Sequence, residues 1–239
     1  MKELIKSLLP RSVLRAYLIR RGQRFGILRK ETEGLLDTEI YEELYRRVLS
    51  GVEGPILEIG TASGTATIAM ALALKSRKSP HKIFTVDRFV GGTRAQYGSV
   101  EDNIGRFRSF AKKWNVDRWI DLHVMEVDQA MIQSVIERIL PNQLSGLILD
   151  ADGSIHRDLF LFNRVLSKDT FIFIDDYHPD LTPKHQKTYA LANYLSEQEY
   201  IEFTDTGHNS IFAKINVEKS IDSIVYERAE ELVADFPEI

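Results

Sequence analysis

Four aspartates follow two apolar segments of the sequence and form a set that could hold a divalent cation. Asp150 and Asp152 follow one segment, and Asp175 and Asp176 follow the other. If these segments are neighbouring parallel strands, the carboxylates meet at one edge of the sheet and repel one another unless a cation lies among them. Oxygen ligands suit a hard divalent ion, most simply Mg²⁺. Such an ion lowers the pKa of a hydroxyl and orients it, and a nearby base then removes its proton.

A second pattern joins a glycine turn to an acid at the end of the next apolar segment. Gly60 follows the first segment and Gly64 opens the helix after it, so the backbone can turn tightly and approach a ligand. Asp87 ends the second segment, where a carboxylate can accept both hydroxyls of a ribose. The rival interpretation is a nicotinamide dehydrogenase, whose G-x-G-x-x-G spacing these two glycines do not fit.

These residues must be positioned by strands that alternate with helices. Segments rich in β-branched and aromatic residues predict seven strands at 55–60, 82–87, 120–125, 145–150, 170–175, 200–204 and 210–215. Helices are predicted at 38–48, 64–75, 100–114, 129–139, 156–166, 184–195 and 218–235. The alternation favours a parallel sheet, and the first five strands are apolar enough to be covered on both faces. The last two strands follow each other through a turn and predict a hairpin, with an antiparallel strand ending the sheet.

The glycine turn resembles the first motif of class I S-adenosylmethionine-dependent methyltransferases, in which an acid precedes a Gly-x-x-x-Gly loop. In this family the loop holds the methionine part of the cofactor and the acid after the second strand holds the ribose. Residues 124–128 resemble the third-strand segment whose acid lies near the adenine, although Val127 stands where the family usually has glycine. The resemblance covers residues 50–216 and implies S-adenosylmethionine on a doubly wound, mostly parallel, seven-stranded α/β sheet of Rossmann-like type. The cofactor residues assigned with it are Glu58, Gly60, Thr61, Ala62, Ser63, Gly64, Asp87, Arg88, Asp128 and Asp150.

Within that class, the aspartates resemble those of metal-dependent small-molecule O-methyltransferases. The most similar groups act on sugars of macrolide and aminocoumarin antibiotics or are of the cephalosporin-hydroxylase type. The resemblance implies Asp150, Asp175 and Asp176 as metal ligands and Asp152 as the general base. The usual Asp-Gly-Asp-x-x-Tyr-Glu pattern is altered, because alanine replaces the glycine and a His-Arg pair stands near the Tyr-Glu position. His156 is therefore a second candidate base.

The first 30 residues differ in charge from the rest of the chain. They carry nine lysines and arginines against one acid, although the whole chain has a net charge of −4. One or two short amphipathic helices, broken near Pro10, are predicted over residues 2–25, within a helical extension at 1–50 that precedes the catalytic domain at 51–239. This segment is expected either to cap the site or form a homodimer, or to lie on an anionic membrane surface. No nucleic-acid partner is expected, because the remaining chain is acidic.

Composition sets further limits on the protein. The chain has 239 residues, 44% of them hydrophobic, which suits one globular domain with a small appendage. It contains no cysteine, so disulfides and thiolate zinc sites are excluded. No apolar run is long enough to span a membrane, and we expect a cytoplasmic protein, peripheral to the membrane if the N-terminal segment binds one.

Together these patterns predict an O-methyltransferase that uses S-adenosylmethionine and Mg²⁺. Its acceptor is predicted to be a hydroxyl of a small molecule, with a sugar or glycosylated metabolite as one candidate. Two alternatives stay open: a methyltransferase of the same fold without the metal, and a non-catalytic protein that binds S-adenosylmethionine. The sequence does not identify the acceptor, because acceptor contacts come from variable loops.

Overall fold

The computed structural model describes residues 15, 19, 22–90, 98–126, 129–139, 141–207, 209–216, 218–219 and 221–236, without the side chains of 129–132. Helices and strands alternate along most of this length. In chain order they are α1 (Arg24–Thr32), α2 (Thr38–Ser50), β1 (Ile56–Ile59), α3 (Thr65–Arg77), β2 (Ile83–Asp87), α4 (Val100–Lys113), β3 (Ile120–Val124), α5 (Gln129–Ile139), β4 (Gly146–Leu149), α6 (Ile155–Phe162), β5 (Phe171–Ile174), α7 (Pro183–Glu197), β6 (Ile201–Thr206), β7 (Ile211–Ile215) and α8 (Ser223–Val233).

The seven strands form one sheet in the order β3-β2-β1-β4-β5-β7-β6. Strands β1 to β5 pair in parallel, and β7 is antiparallel to both β5 and β6. From β1 the chain winds outward through β2 and β3, and then returns to the other side of β1 with β4 and β5. The strand order therefore reverses between β1 and β4, which confirms the predicted doubly wound, mostly parallel sheet.

Helices cover both faces of the sheet and create two hydrophobic cores. In β1, Leu57 and Ile59 face one core and Ile56 faces the other. Side chains of α5 to α8 fill the first core, and side chains of α1 to α4 and the residues around them fill the second. Because both faces are covered, β1 and β4 consist of apolar residues at nearly every position, as in other buried parallel strands.

Strand β3 is the exception to the prediction that the first five strands are covered on both faces. It lies at one edge of the sheet, and its residues are partly exposed, with Val124 the most exposed of them. Its sequence carries Asp121 and His123, which interact with each other and with Arg138 on α5. The strand was predicted in the right place, but its position at the sheet edge explains why it tolerates charged residues.

The last two strands form the predicted hairpin, and β7, the last strand of the chain, is antiparallel to both of its neighbours, as expected. It inserts between β5 and β6, so β6 is the strand at this edge of the sheet. The predicted helix at 156–166 is shorter than expected, since α6 ends at Phe162 and a 3₁₀ turn follows at Asn163–Val165. Helix α1 was not predicted as an element of its own, and Phe25 and Leu28 attach it to the core of α2 and α3.

Most of the basic N-terminal segment lies outside the described residues, so its expected roles as a cap, dimer interface or membrane-surface segment remain predictions. Of this segment, Arg15 is seen to form a salt bridge with Glu31 on α1 and to lie over the ring of Trp114. Among the described residues, no helix has the length and apolar content that crossing a membrane requires.

Candidate active site

A large cavity opens at the carboxyl ends of β1, β2, β4 and β5. Its volume is about 1170 Å³, which exceeds the roughly 300–1000 Å³ usual for one small-molecule site. The cavity lies at the point where the strand order reverses, which is the usual ligand-binding position in open α/β sheets. Its walls include the glycine turn after β1, the acids that follow β2, β4 and β5, and residues 35–37 and 39–41 at the start of α2.

The two glycines of the turn occupy positions that no larger residue fits. Gly60 has a left-handed backbone with φ of 96°, and a Cβ there would lie 1.9 Å from the carbonyl oxygen of Asp150. Gly64 also has a positive φ of 81°, and its Cβ would lie 2.2 Å from the ring of Phe107. The turn is therefore pressed against β4 on one side and α4 on the other, and Thr61–Ser63 between the glycines line the cavity.

Asp87 ends β2 and fixes the conformation of this turn. Its Oδ2 accepts hydrogen bonds from the backbone N–H groups of Thr61, at 2.7 Å, and Ala62, at 3.0 Å. Its Oδ1 accepts one from the N–H of Phe89 at 2.7 Å. The carboxylate also lines the cavity, although the residue is largely buried. The structure thus brings Asp87 and the turn together, as the sequence predicts.

Glu58 lies behind the turn and does not line the cavity, so the structure does not place it against a ligand. It is fully buried, and its Oε2 accepts hydrogen bonds from the hydroxyls of Thr67 and Thr85, at 2.5 and 2.6 Å. The hydroxyl of Thr85 in turn lies 2.6 Å from that of Thr61 in the turn. Burial, reinforced by the nearby charges of Asp150 and Asp87, raises the pKa of Glu58 from its ordinary 4.5 to about 8.

This raised pKa predicts a specific dependence of stability on pH. A carboxyl with a higher pKa in the folded state binds its proton more tightly there, so stability falls as the pH rises from 4.5 to about 8. The loss approaches about 1.4 kcal/mol of unfolding free energy per pH unit. The variant Glu58→Gln should lack this fall in unfolding free energy with pH, and Glu202→Gln, at an exposed position on β6, should retain it. Urea unfolding from pH 5 to pH 8 measures the difference, and parallel curves for wild type and Glu58→Gln would contradict it.

The carboxylates after β4 and β5 form a close cluster at the other side of the cavity. Asp150, Asp175 and Asp176 each present an oxygen, and these oxygens lie within 4.8 Å of one another. Burial and the two neighbouring carboxylates raise the pKa of Asp175 well above its usual range. Three carboxylate oxygens around one point are a donor set that fits a divalent ion such as Mg²⁺. The structure therefore brings together the three residues predicted as metal ligands, here called the acid triad.

Two further residues at the acid triad, both in the first turn of α7, were not predicted from the sequence. The ammonium of Lys184 contacts Asp176 and lies 3.7 Å from Oδ1 of Asp150. The Nε2 atom of His185 lies 3.0 Å from Oδ1 of Asp176. The Thr-Pro pair at 182–183 is typical of a helix start and predicts where α7 begins, but it does not indicate that these two side chains turn towards the acid triad.

Asp152 lines the cavity next to the acid triad, but it is held by an arginine. Two nitrogens of Arg157 donate to its carboxylate, at 2.7 and 3.3 Å, and the N–H of Ser154 donates at 3.0 Å. Burial alone would raise the pKa of Asp152, but the charge and hydrogen bonds of Arg157 outweigh it and hold that pKa below its usual range. Arg157 also pairs with the buried Asp158. Asp152 therefore stays ionised at neutral pH, in a fixed orientation.

His156 does not reach the cavity, contrary to the prediction that it could act as a base there. Its side chain is 1% exposed and packs against the ring of Tyr226, with centroids 5.2 Å apart. Its Nε2 lies 2.7 Å from a carboxylate oxygen of Glu230 on α8. His156 is the second residue of α6, and these contacts place it on the face of this helix that packs against α8. The histidine joins two helices instead of facing the acid triad.

The remaining predicted cofactor residues lie around the glycine turn or outside the described residues. Arg88 lines the cavity, and its Nη1 is 3.4 Å from a carboxylate oxygen of Glu126. Ser63 lines the cavity as well, and its hydroxyl lies 2.9 Å from that of Thr65 at the start of α3. Asp128, predicted to lie near the adenine, is outside the described residues.

A further wall of the cavity, at the start of α2, was not predicted to border the site. The fully buried Tyr41 anchors this wall, since its hydroxyl accepts a hydrogen bond from the N–H of Leu36 at 3.0 Å. Ile40 and the exposed Leu35 add apolar surface there. The side chain of Ile40 faces the hairpin turn, where a Cβ on Gly207 would lie 3.3 Å from its Cδ1. No motif marks such a wall, because it depends on how α2 packs on the sheet.

The sheet order, the glycine turn after β1 and the acid at the end of β2 define the fold of class I methyltransferases, which use S-adenosylmethionine. A family model described as a methyltransferase domain matches residues 57–177, just over half of the chain. The chain therefore belongs to this methyltransferase family. The matched segment runs from β1 to just beyond the acid triad and so contains both sides of the cavity.

Solved structures of O-methyltransferases share this fold at low sequence identity. The enzyme from Bacillus cereus in complex with S-adenosylhomocysteine is 16% identical, with a TM-score of 0.58 over 90% of this chain and 96% of that chain. TomG from Streptomyces achromogenes, involved in tomaymycin synthesis and bound to S-adenosylmethionine, is 15% identical, with a TM-score of 0.56 over 76% of this chain and 82% of that chain. A TDP-rhamnose 3′-O-methyltransferase of calicheamicin biosynthesis is 17% identical, with a TM-score of 0.53 over 89% and 90%. Among curated proteins, none matches the sequence significantly.

Proposed function

We propose that this protein transfers a methyl group from S-adenosylmethionine to a hydroxyl of a small molecule, with Mg²⁺ at the acid triad. The observation that carries the proposal is the composition of the cavity, which has the glycine turn and Asp87 on one side and the three carboxylates of the acid triad on the other. Its volume leaves room for a cofactor and an acceptor side by side. In the reaction the hydroxyl oxygen bonds to the methyl carbon, the carbon–sulfur bond breaks, and the sulfonium becomes a neutral thioether.

The residues of the glycine turn supply the cofactor side of this proposal. The bonds from Thr61 and Ala62 to Asp87 hold the loop in one shape, so little order has to be gained when a ligand binds. Gly60 and Gly64 let the backbone approach the ligand, and Arg88 and Ser63 line the same wall. The proposed position of the methionine part is along Thr61–Ser63, with the ribose at Asp87.

The acid triad and Asp152 supply the chemistry on the acceptor side. When bound there, Mg²⁺ lowers the pKa of the acceptor hydroxyl and orients it towards the methyl group. Asp152 accepts the proton, since Arg157 keeps its carboxylate ionised at neutral pH. The same pairing makes Asp152 a weak base, and a weak base is sufficient once the acceptor hydroxyl has been acidified.

A sugar hydroxyl is the first acceptor to test. The aspartate pattern resembles that of metal-dependent enzymes that act on sugars, and one structural neighbour is named for TDP-rhamnose. A second candidate is the same reaction without a metal. The observation that favours it is Lys184, whose ammonium already brings positive charge to Asp150 and Asp176.

The proposal is tested by binding and turnover measured on the same protein. Calorimetry should show binding of S-adenosylmethionine and S-adenosylhomocysteine, and mass spectrometry should show a gain of one methyl group on a sugar or phenol acceptor. EDTA should abolish transfer and Mg²⁺ should restore it. The variant Asp175→Asn should lower turnover by about 100-fold or more while cofactor binding is kept. Asp169→Asn, an exposed acid just before β5, is the control.

The cofactor part and the metal part of the proposal are contradicted by different results. Absence of binding to both cofactor forms contradicts the methyltransferase assignment as a whole. Transfer that persists in EDTA and in Asp175→Asn contradicts the metal and leaves the metal-free candidate. Binding of the cofactor without methylation of any acceptor supports the non-catalytic alternative.

A further inference from the structure

The ammonium of Lys184 lies among the carboxylates of the acid triad. It contacts the carboxylate of Asp176 and lies 3.7 Å from Asp150, two of the three residues of the acid triad. The third, Asp175, offers an oxygen within 4.8 Å of theirs. A cation is therefore present among these carboxylates already, supplied by the chain itself.

The fold delivers this lysine to the acid triad by a short and well-defined route. Thr182 precedes α7 with its hydroxyl towards the N–H of His185, and Pro183 takes the first helical position. Lys184 then packs against Gly153, where a Cβ would lie 3.3 Å from the Lys184 carbonyl oxygen and 3.6 Å from its Cγ. Gly153 has a left-handed φ of 76°, so the loop after β4 leaves a channel for the stem of the lysine.

An ammonium and a divalent ion cannot share these carboxylates. Two like charges about 4 Å apart repel each other strongly even where solvent screens them in part, and a doubly charged ion is repelled more than a singly charged one. The side chain of Lys184 is 23% exposed and borders the cavity, so its head can leave the acid triad by rotation of its flexible stem.

We propose that Lys184 is the resident counter-ion of the acid triad and that a divalent cation binds only by displacing it. Lys184 therefore weakens metal binding and holds the acids together when no metal is present. This inference rests on the proposed function, because it concerns the cation site of the same reaction. It assigns to α7 a part in metal binding: the start of the helix competes with the metal for Asp176 and Asp150.

The test is a titration with Mn²⁺, followed by electron paramagnetic resonance, on the full chain and three variants. Lys184→Met keeps the length of the stem and removes the charge, and should bind Mn²⁺ about tenfold more tightly than wild type, or better. Lys184→Arg keeps a cation and should bind like wild type. Lys187→Met, one turn further on, removes a lysine that donates to Ser154 at 2.7 Å instead of to the acid triad, and should also bind like wild type.

A second measurement tests the structural half of the inference. Without metal, Lys184→Met should unfold at a lower temperature than wild type and Lys187→Met, because its carboxylates lose their counter-ion. Added Mn²⁺ should raise the unfolding temperature of Lys184→Met by more than it raises that of wild type. Equal or weaker Mn²⁺ binding by Lys184→Met overturns the inference, as does absence of Mn²⁺ binding in every variant. Calorimetry with S-adenosylmethionine and an assay of methyl transfer on the same preparations show separately whether the proposed function holds.

Discussion

Replacing Gly60 by alanine is expected to abolish binding of S-adenosylmethionine and to lower the free energy of unfolding by about 3 kcal/mol. The new Cβ would lie 1.9 Å from the carbonyl oxygen of Asp150, at a residue whose φ is 96°. That carbonyl has little freedom to retreat, because the N–H of Asp150 donates to Ile59 at 2.9 Å and ties β4 to β1. The turn must therefore move, and it is the turn that borders the cavity.

The matched control is Gly105→Ala. Gly105 lies on the exposed face of α4, and a Cβ there would have no neighbour within 4 Å. Alanine is the better helix former by about 1 kcal/mol, so this variant should be as stable as wild type or more stable, with unchanged binding. Urea unfolding and calorimetry measure both quantities. Wild-type affinity in a folded Gly60→Ala protein would show that the cofactor does not depend on this turn.

The second large effect is expected for Asp87→Asn. The carboxylate accepts three backbone hydrogen bonds, from Thr61, Ala62 and Phe89. An amide offers one acceptor oxygen and turns a donor towards a backbone N–H, so at least one of these charge-assisted bonds is lost. We expect a loss of about 2 kcal/mol in unfolding free energy. Binding of S-adenosylmethionine should weaken by about 100-fold, since the loop and the proposed ribose contact are both affected.

Asp102→Asn provides the comparison for this prediction. Asp102 also accepts a backbone hydrogen bond, from Ser99 at the start of α4, but it is exposed and does not line the cavity. This change should lower the unfolding free energy much less than Asp87→Asn does, because water replaces the lost hydrogen bond, and should leave cofactor affinity unchanged. If both aspartate variants bound the cofactor as wild type does, Asp87 would be a structural residue only.

Much of the fold could be predicted, because the strands have a strong local signal. Segments such as Ile56–Ile59 and Phe171–Ile174 are apolar at every position but Glu58, and each is followed by a helix that returns the chain to the same end of the sheet. What the sequence did not determine is the place of each strand. Strand β7 enters between β5 and β6, and β3 is left at an edge, because pairing depends on contacts between residues distant in the chain.

The site was predictable to the extent that strand ends determine it. Asp150 and Asp175 meet because β4 and β5 are neighbours, and that follows from topology. The direction of side chains beyond the strand ends was not predictable, because it depends on how each helix is rotated about its axis. One helix turns His156 towards Glu230, and another turns Lys184 into the acid triad. Neither contact has a motif of its own.

Asp150 belongs to both sides of the cavity, since its carbonyl oxygen limits the glycine turn and its carboxylate belongs to the acid triad. A shift of this one residue would therefore affect both the proposed cofactor and an ion bound at the acid triad. Thermodynamic reciprocity then requires that any factor by which the sulfonium cofactor changes the affinity for the ion equals the factor by which the ion changes the affinity for the cofactor. The four binding constants of this thermodynamic cycle measure the coupling, so that binding of either ligand reports on the binding of the other.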